Sequence, residues 1–272
     1  KAYNTRAIGG DNDNTETVKK IVDLRIRKAN ILGYETWADY VLEERMAKDR
    51  TTVNDFIMQL MEPSIPFAKK DIEDVFAYAK KNGFEGDRLM PWDFSFWSER
   101  YKEAEYALNA EELKPYFRLE NCIDAVFALA GRLYGLQFKE LDNVPVYHED
   151  VKVYEVTDEN GRHMALFYAD FFPRESKRGG AWMTDFRGRY PSLTGTSVAR
   201  DFVELPSQIL ENWGYEPEYL QSFAKHYQTG EPIPAELIEK IVKAKNYLAG
   251  YAQVRQLHYG YLDMNWHSLT EV

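Results

Sequence analysis

The feature that most constrains the fold of this chain is a change in the spacing of its apolar residues. From Thr15 onwards they recur every three or four residues, which predicts helices, and Gly33 and Gly135 follow two such stretches as stops. Two stretches that instead alternate, 151–156 and 164–171, flank the turn 158–161. The sequence therefore predicts a mostly α-helical protein with a small antiparallel β-sheet, an α+β fold.

Further helices are predicted on both sides of this hairpin. Before it they are expected at 36–46, from a cap at Thr51 or Thr52 to Gly83 with a disturbance at Pro63 and Pro66, at 91–106 and at 119–135. After it they are expected at 198–213, with a kink or an early turn at Pro206, at 218–227 and at 234–266. One more strand is predicted at 180–184.

We divide the chain into three consecutive regions of one continuous, partial domain. Residues 1–135 are a helical region, residues 136–189 hold the small sheet and its edge strand, and residues 190–272 are a second helical region. A chain of 272 residues buries roughly three quarters of the surface that its unfolded form exposes. A chain of this length can therefore form one sizeable hydrophobic core.

The charge balance argues against two classes of partner. The chain has 34 basic and 44 acidic residues, a formal net charge of −10. Nucleic acids and anionic membranes both attract basic surfaces, so neither is expected to bind.

The cellular compartment is constrained by the single cysteine and the first residues. Cys122 has no intrachain partner, which fits a reducing compartment. No apolar run is long enough to cross a membrane, and residues 1–6 lack the apolar core of a signal peptide. We expect a cytoplasmic location. A periplasmic location stays open, because the sequence has no initiating Met and an upstream signal is then not seen.

A group of polar side chains in the segment 201–213 is the strongest candidate for chemistry. Asp201, Glu204, Ser207 and Glu211 share roughly one side of an unbroken helix. A solvated acidic face is the interpretation that periodicity alone favours. A zinc site needs two further protein ligands besides one carboxylate.

The five histidines do not supply those ligands in any recognisable spacing. They are His148, His163, His226, His258 and His267, and none belongs to a His-Glu-x-x-His motif. His258 and His267 are nine residues apart on one predicted helix and so point to opposite faces. His148 is expected in a turn, facing solvent. A Gly-x-Ser-x-Gly elbow and a phosphate-binding loop are also absent from the sequence.

Several segments, read in order, carry a family resemblance. They include Leu-Met-Pro-Trp-Asp at 89–93, Gly-Ala-Trp-Met-Thr at 180–184 and Asp-Phe-Val-Glu-Leu-Pro-Ser-Gln at 201–208, with further matches at 116–117, 133–136, 147–151, 168–174 and 209–213. Together they resemble the thimet oligopeptidase family of zinc peptidases. Within that family the chain is most similar to the bacterial peptidyl-dipeptidase (dipeptidyl carboxypeptidase) branch.

The resemblance implies a helical, clam-like, zincin-type architecture and an oligopeptide substrate. It implies that an edge strand holds the peptide through backbone hydrogen bonds, and the matching residues are Gly179, Gly180, Ala181, Trp182 and Met183. It further implies that Glu204 is the third zinc ligand. Asp201 and Glu211 are then expected to support Glu204 from behind.

The same resemblance exposes a missing part. The family places its His-Glu-x-x-His helix shortly before the segment that matches 190–196, whereas this chain runs from Phe186 through residues 187–189 directly into it. Two zinc ligands and the general base are therefore absent. We expect a section, or an internally deleted form, of a zinc peptidase that does not bind zinc stably and is inactive. The alternative is a non-catalytic domain that binds peptides along residues 179–184.

Overall fold

The computed structural model describes residues 9–10, 13–106, 109–180, 183–184 and 197–272. Within them the chain is mostly helical and carries a three-stranded antiparallel sheet, so the predicted fold class is confirmed. The helices are α1 (Thr15–Ile31), α2 (Trp37–Leu42), α3 (Arg50–Lys81), α4 (Pro91–Tyr106), α5 (Ala110–Leu113), α6 (Leu119–Tyr134), α7 (Leu205–Leu210), α8 (Pro217–Phe223), α9 (Ala235–Ala244) and α10 (Ala249–His267). The strands are β1 (Gln137–Glu140), β2 (Lys152–Thr157) and β3 (His163–Ala169), and 3₁₀ turns span Lys114–Tyr116 and Glu211–Tyr215.

The chain divides into two compact units that are discontinuous in sequence. The first unit comprises Lys1–Leu108, Arg189–Leu210 and Lys240–Val272, and the second comprises Asn109–Gly188 and Glu211–Glu239. The three consecutive regions suggested by the sequence stay a prediction.

The first unit is built around the antiparallel pair α3 and α10, the most extensive helix contact in the described chain. One buried cluster joins Ala38, Ile57, Leu257 and Met264, and a second joins Val75, Ala79, Phe94 and Trp97. The two helices approach each other closely where Gly250 of α10 faces Phe67 and Ala68 of α3. The N–H of Tyr251 in the first turn of α10 donates to the Asp71 carboxylate at 2.8 Å, which satisfies one of the free donors of that helix start.

Helix α3 corrects two predictions. Its cap is Asp49, whose side chain accepts the N–H of Thr52 at 2.8 Å, so neither Thr51 nor Thr52 is the capping residue. The helix also runs for 32 residues through Pro63 and Pro66 without a break. Each proline removes one intrahelical donor, but the residues on both sides pack against α10, and this tertiary contact outweighs the loss.

The second unit has an aromatic core between α6 and the sheet. The rings of Phe127 and Phe138 are stacked with centroids 4.0 Å apart, and Tyr154 of β2 meets Phe127 edge-on at 4.8 Å. Val153, which is 1% exposed, and Val156 complete the buried part of β2. Helix α6 ends at Gly135, whose φ of 68° is the left-handed conformation that glycine adopts most easily.

The sheet confirms the predicted hairpin and differs in its third strand. The order is β1-β2-β3, with Tyr154 of β2 opposite Phe167 of β3. The third strand is β1, which precedes the hairpin. Of the stretch predicted as a strand, Gly180, Met183 and Thr184 are described and are not in a strand, and residues 181–182 lie outside the described residues.

Two stretches that were each predicted to be one long helix are divided into shorter elements. The stretch 234–266 is two helices, because the chain turns at residues 245–248 and Leu248 takes a φ of 50°. The stretch 198–213 is a turn, the short helix α7 and a 3₁₀ turn, with Pro206 at the start of α7, where its missing N–H costs nothing. None of the helices within the described ranges combines the length and the apolar character needed to cross a membrane.

Candidate functional site

Asp201 anchors the turn that leads into α7. Its carboxylate accepts the N–H of Met46 at 3.1 Å and the N–H of Ala47 at 3.2 Å, both in the turn after α2. Burial acts to raise the pKa of Asp201, but these two donors outweigh it and the pKa lies below the ordinary value for aspartate. Asp201 therefore joins two turns that are about 155 residues apart in the chain.

Glu204 lies at the end of the same turn and is exposed. Its backbone carbonyl accepts the N–H of Gln208, and the hydroxyl of Ser207 lies 2.7 Å from its Oε2. This pattern closes the first turn of α7. The carboxylate thus faces solvent at the start of a short helix, and the unbroken helix expected from periodicity is not formed.

Glu211 lies in the second unit, whereas Asp201 and Glu204 lie in the first. It opens the 3₁₀ turn Glu211–Tyr215 and is exposed. Two residues further on, Trp213 packs edge-on against Tyr219 of α8, with ring centroids 6.0 Å apart. The expected role of Glu211 as a supporting carboxylate for Glu204 stays a prediction.

All five histidines lie in the described part of the chain, and each has its own surroundings. His148 is in a turn beside Asp150, His163 contacts Glu155 across the sheet at 3.0 Å, and His226 accepts backbone N–H groups in its own turn. His258 is exposed on α10, and His267 contacts Arg25 at 2.6 Å. Across the described residues, no three His, Cys, Asp or Glu side chains converge on a point that could hold a metal ion. Within that part of the chain, the side chains therefore do not fit zinc.

The segment predicted to bind peptide begins at Gly179, and nine residues separate it from the end of β3 at Ala169. Gly179, Gly180 and Met183 are exposed, while Ala181 and Trp182 lie outside the described residues. Gly180 has a φ of 105°, a conformation that other residues rarely adopt. Among the described residues β3 pairs on one side only, with β2, so its other edge presents backbone groups to a further strand.

A charged cluster that the sequence reasoning missed fixes the turn between β3 and this segment. We call Asp170, Arg174, Lys177 and Tyr147 the Asp170 cluster. Arg174 donates to both carboxylate oxygens, at 2.9 and 2.7 Å, Lys177 lies 3.2 Å from Oδ1, and the Tyr147 hydroxyl donates to Oδ2 at 3.2 Å. The only hint in the sequence was the i, i+4 spacing of Asp170 and Arg174.

The Asp170 cluster gives a testable pH dependence. The Arg174 guanidinium, helped by Lys177 and Tyr147, outweighs burial and holds the pKa of Asp170 well below its ordinary value. A carboxyl of this kind stabilises the fold fully above its unfolded pKa of about 3.9 and less as the pH falls below it. We expect the stability difference between the unmodified chain and Asp170→Asn to be constant from pH 7 to about 5 and to shrink below about pH 4.

Urea unfolding of both proteins between pH 7 and pH 3 measures this difference. Asp142→Asn is the matched control, because Asp142 is an exposed carboxyl of the same unit with no partner among the described residues. The control should match the unmodified chain at every pH. A difference for Asp170→Asn that stays constant to pH 3 would contradict the assignment.

A separate open cleft of about 720 Å³ lies within the second unit, lined by Glu111, Lys114, Pro115, Arg118 and Tyr227. The N–H of Tyr227 donates to the carbonyl of Pro115 at 2.9 Å and joins its two sides. None of the predicted zinc or peptide residues lines this cleft.

Comparison with known proteins places the chain in a family. The model of peptidase family M3 matches in two segments, residues 1–190 and residues 187–272. Because these segments cover the whole chain, it belongs to peptidase family M3. The resemblance inferred from the sequence is confirmed.

Individual relatives agree with this assignment. The chain is 33% identical to Oligopeptidase A of Escherichia coli over 328 residues, which cover 98% of this chain and 48% of the relative. It is 33% identical to Dipeptidyl carboxypeptidase of the same organism, over 98% of the chain and 47% of the relative. It is 35% identical to the Probable cytosolic oligopeptidase A of Arabidopsis thaliana, over 98% and 47%. The similarity to the two kinds of bacterial enzyme is of the same size.

The length of these alignments carries additional information. The chain spans about half the length of the curated relatives that it matches. The alignment with Oligopeptidase A is 328 positions long and the chain has 272 residues, so at least 56 positions of the relative have no counterpart here. The family match is interrupted at residues 187–190, where the sequence also lacks the expected His-Glu-x-x-His helix.

Proposed function

We propose that this chain is a section of a zinc-dependent oligopeptidase of family M3 that does not hydrolyse peptides by itself. One observation carries the proposal: the family match covers the whole chain, yet none of the 272 residues forms a His-Glu-x-x-His motif. That motif supplies two zinc ligands and the general base of such peptidases. The interruption at residues 187–190 supports a loss of this part from inside the chain.

Glu204 is proposed to be the remaining zinc ligand. A single exposed carboxylate does not hold zinc, which takes three protein ligands in catalytic sites. Asp201 is proposed to support it by fixing the turn that presents Glu204, since its carboxylate is held by the backbone of residues 46 and 47. Glu211 is proposed as a second supporting carboxylate.

The first test measures zinc and turnover together. We expect the purified chain to contain much less than one zinc per molecule and to leave an internally quenched oligopeptide uncut. The full-length Oligopeptidase A of Escherichia coli, assayed in parallel, shows whether the peptide and the buffer are suitable. Stoichiometric zinc with turnover that a chelator abolishes would sink the proposal, because residues beyond Glu204 would then complete the site.

A second candidate function is the capture of extended peptides along residues 179–184 without cleavage. The observation that favours it is the edge of β3, which is paired on one side only among the described residues and leads to Gly179, Gly180 and Met183. An added strand would gain main-chain hydrogen bonds along such an edge. The ligands are proposed to be oligopeptides and the compartment to be the cytoplasm, in line with the names of the relatives.

Calorimetric titration in the presence of a chelator tests this candidate. The probe is a neutral heptapeptide of alternating alanine and serine, and its control has proline in place of each alanine. Proline has no N–H to donate, so pairing at a strand edge should be lost. Binding of the first peptide alone is expected; a flat titration with both would rule out peptide capture.

A further inference from the structure

We infer that the outer face of α1 is a docking surface for an acidic amphipathic helix of a partner protein. The outer face is the stripe of Ile21, Leu24, Lys28 and Ile31 together with the basic side chains beside it. The inference does not depend on zinc, on peptide cleavage or on the proposed capture of peptides, because the residues proposed for those functions do not lie on α1.

Helix α1 is apolar on its outer side as well as on the side that is packed. It contacts α2 and α10, and its buried residues are Val22, Ile26 and Ala29. A surface helix normally carries polar side chains opposite its buried stripe. Here Leu24 and Ile31 lie opposite that stripe and are 52% and 84% exposed, and Ile21 beside them is 44% exposed. The described parts of the chain therefore leave this apolar surface largely uncovered.

The spacing of the outer face matches the seam between two paired helices. Ile21, Leu24, Lys28 and Ile31 follow one another at intervals of three, four and three residues. Side chains at these intervals share one side of a helix and meet a second helix that lies along it. The stripe is about 15 Å long, at 1.5 Å per residue. An extended peptide would find no free backbone edge on α1, so a helix is the occupant that fits.

The charges of α1 set the charge of the partner. The helix has five basic and two acidic residues, in a chain whose net charge is −10. Both acidic residues are already paired within the helix, Glu16 with Lys19 and Asp23 with Arg27, each at 2.9 Å. Among the described residues, no carboxylate lies within ion-pair distance of the other three cations, which are Lys20, Arg25 and Lys28.

Two of these cations are held in place by rings. Nη1 of Arg25 lies 2.6 Å from Nε2 of His267, and the guanidinium lies 5.6 Å from the centre of the Trp37 ring. The ammonium of Lys28 lies 5.4 Å from the ring of Trp37 and 5.5 Å from that of Tyr40. These contacts order the side chains and leave their positive charge unbalanced. A helix with Glu or Asp beside its apolar residues is the complementary partner.

An anionic membrane and a second copy of the chain fit this face less well. A helix that lies in a membrane surface buries its apolar side in lipid, whereas the stripe of Val22, Ile26 and Ala29 is used within the fold. The chain as a whole is also acidic and is repelled by anionic lipid. Two copies that docked through the same face would bring cations against cations.

The test measures binding of a labelled helical peptide to the full chain by fluorescence anisotropy. The probe has three heptads with leucine at a and d and glutamate at e and g, which opposes its pairing with itself. A control peptide of the same composition has its leucines dispersed around the helix. The variants are the double substitution Leu24→Gln with Ile31→Gln, and Lys20→Glu. Ile72→Gln is the matched control, because Ile72 is a 40% exposed apolar residue of α3. Circular dichroism shows that each variant is folded.

We expect the double variant to bind the probe about tenfold more weakly or worse, because two apolar contacts are lost. Lys20→Glu should weaken binding at low salt and less at high salt, because salt screens exposed charges. Ile72→Gln should bind like the unmodified chain, and the dispersed peptide should not bind.

Other outcomes would overturn the inference. No binding of the probe, or equal binding by the unmodified chain and the double variant, would show that α1 does not dock an acidic helix. Dimerisation in sedimentation that the double variant loses would assign the face to a second copy. Binding to phosphatidylcholine–phosphatidylserine vesicles that the same variant loses would assign it to a membrane.

Discussion

Replacing Trp97 by alanine is expected to lower the free energy of unfolding by about 3–5 kcal/mol, as for other large aromatic side chains removed from a core. Trp97 is 8% exposed and belongs to the cluster with Val75, Ala79 and Phe94. Its ring meets Tyr78 and Phe84 edge-on, with centroids 6.3 and 6.2 Å apart. Truncation leaves a cavity between α3 and α4 that rings so placed do not refill.

Urea unfolding followed by the helical circular dichroism signal measures this loss. The neighbouring Phe96 is a matched control because it is 53% exposed: its ring contacts the Arg100 guanidinium at 5.0 Å and lies edge-on to Trp97 at 5.1 Å, outside the buried cluster. Phe96→Ala should cost no more than about 1 kcal/mol. Trp97→Phe should fall in between and remains measurable if the alanine variant does not fold. A Trp97→Ala variant as stable as Phe96→Ala would refute the assigned core.

Replacing Gly250 by alanine is expected to destabilise the first unit by about 2–3 kcal/mol through overpacking. A Cβ at this position would lie 2.7 Å from the carbonyl carbon and the Cβ of Phe67 and 2.8 Å from the nitrogen of Ala68. These are mainly backbone atoms of a long helix and do not swing aside. The added methyl would push α10 from α3 and weaken the bond between Tyr251 and Asp71.

Gly260 of the same helix provides the comparison. A Cβ there would meet only the Cδ1 of Ile57, at 3.5 Å, which is an ordinary contact. Gly260→Ala should therefore be neutral or raise the unfolding free energy by up to about 1 kcal/mol, because alanine favours helix more than glycine does. The urea midpoint should fall for Gly250→Ala and stay or rise for Gly260→Ala, and the unfolding free energies of the two variants should differ by about 2 kcal/mol or more. Equal midpoints would show that α10 does not approach α3 as closely as described.

The elements that the sequence predicted well are those whose signals are local. The stop of α1 before Gly33 and that of α6 at Gly135 follow from glycine in a left-handed conformation. The hairpin of β2 and β3 follows from alternation around a turn that contains Asp158 and the pair Asn160-Gly161. Neither feature depends on distant parts of the chain.

The elements that could not be predicted from the sequence depend on tertiary contacts. Pro63 and Pro66 carry a strong breaking signal, yet α3 continues because α10 packs along it. Leu248 carries no breaking signal, yet the chain turns there and its side chain packs on the buried cluster around Trp97. Strand β1 was missed because it has four residues and pairs with β2 from outside the hairpin.

For the site, the sequence was informative about ancestry and about what is missing. The segment around Glu204 identified the family, which the comparisons confirm. It did not reveal that Asp201 binds the backbone of Met46 and Ala47, or that Asp170 holds the turn after β3, because both depend on a fold that brings distant or looped residues together. Periodicity also suggested one continuous helix where a turn and a short helix are found.

The pairing of α3 with α10 has a consequence for how the chain folds as it is made. The contact between Asp71 and Tyr251 joins residues 180 positions apart. Roughly 140 residues separate the end of α4 from the start of α10, and at about 5–20 residues per second their synthesis takes on the order of ten seconds. Throughout that time the part of α3 that faces α10, around Ile57 and Phe67, lacks its partner, although α4 already packs against Val75 and Ala79. The first unit therefore becomes fully packed only after α10 has emerged from the ribosome.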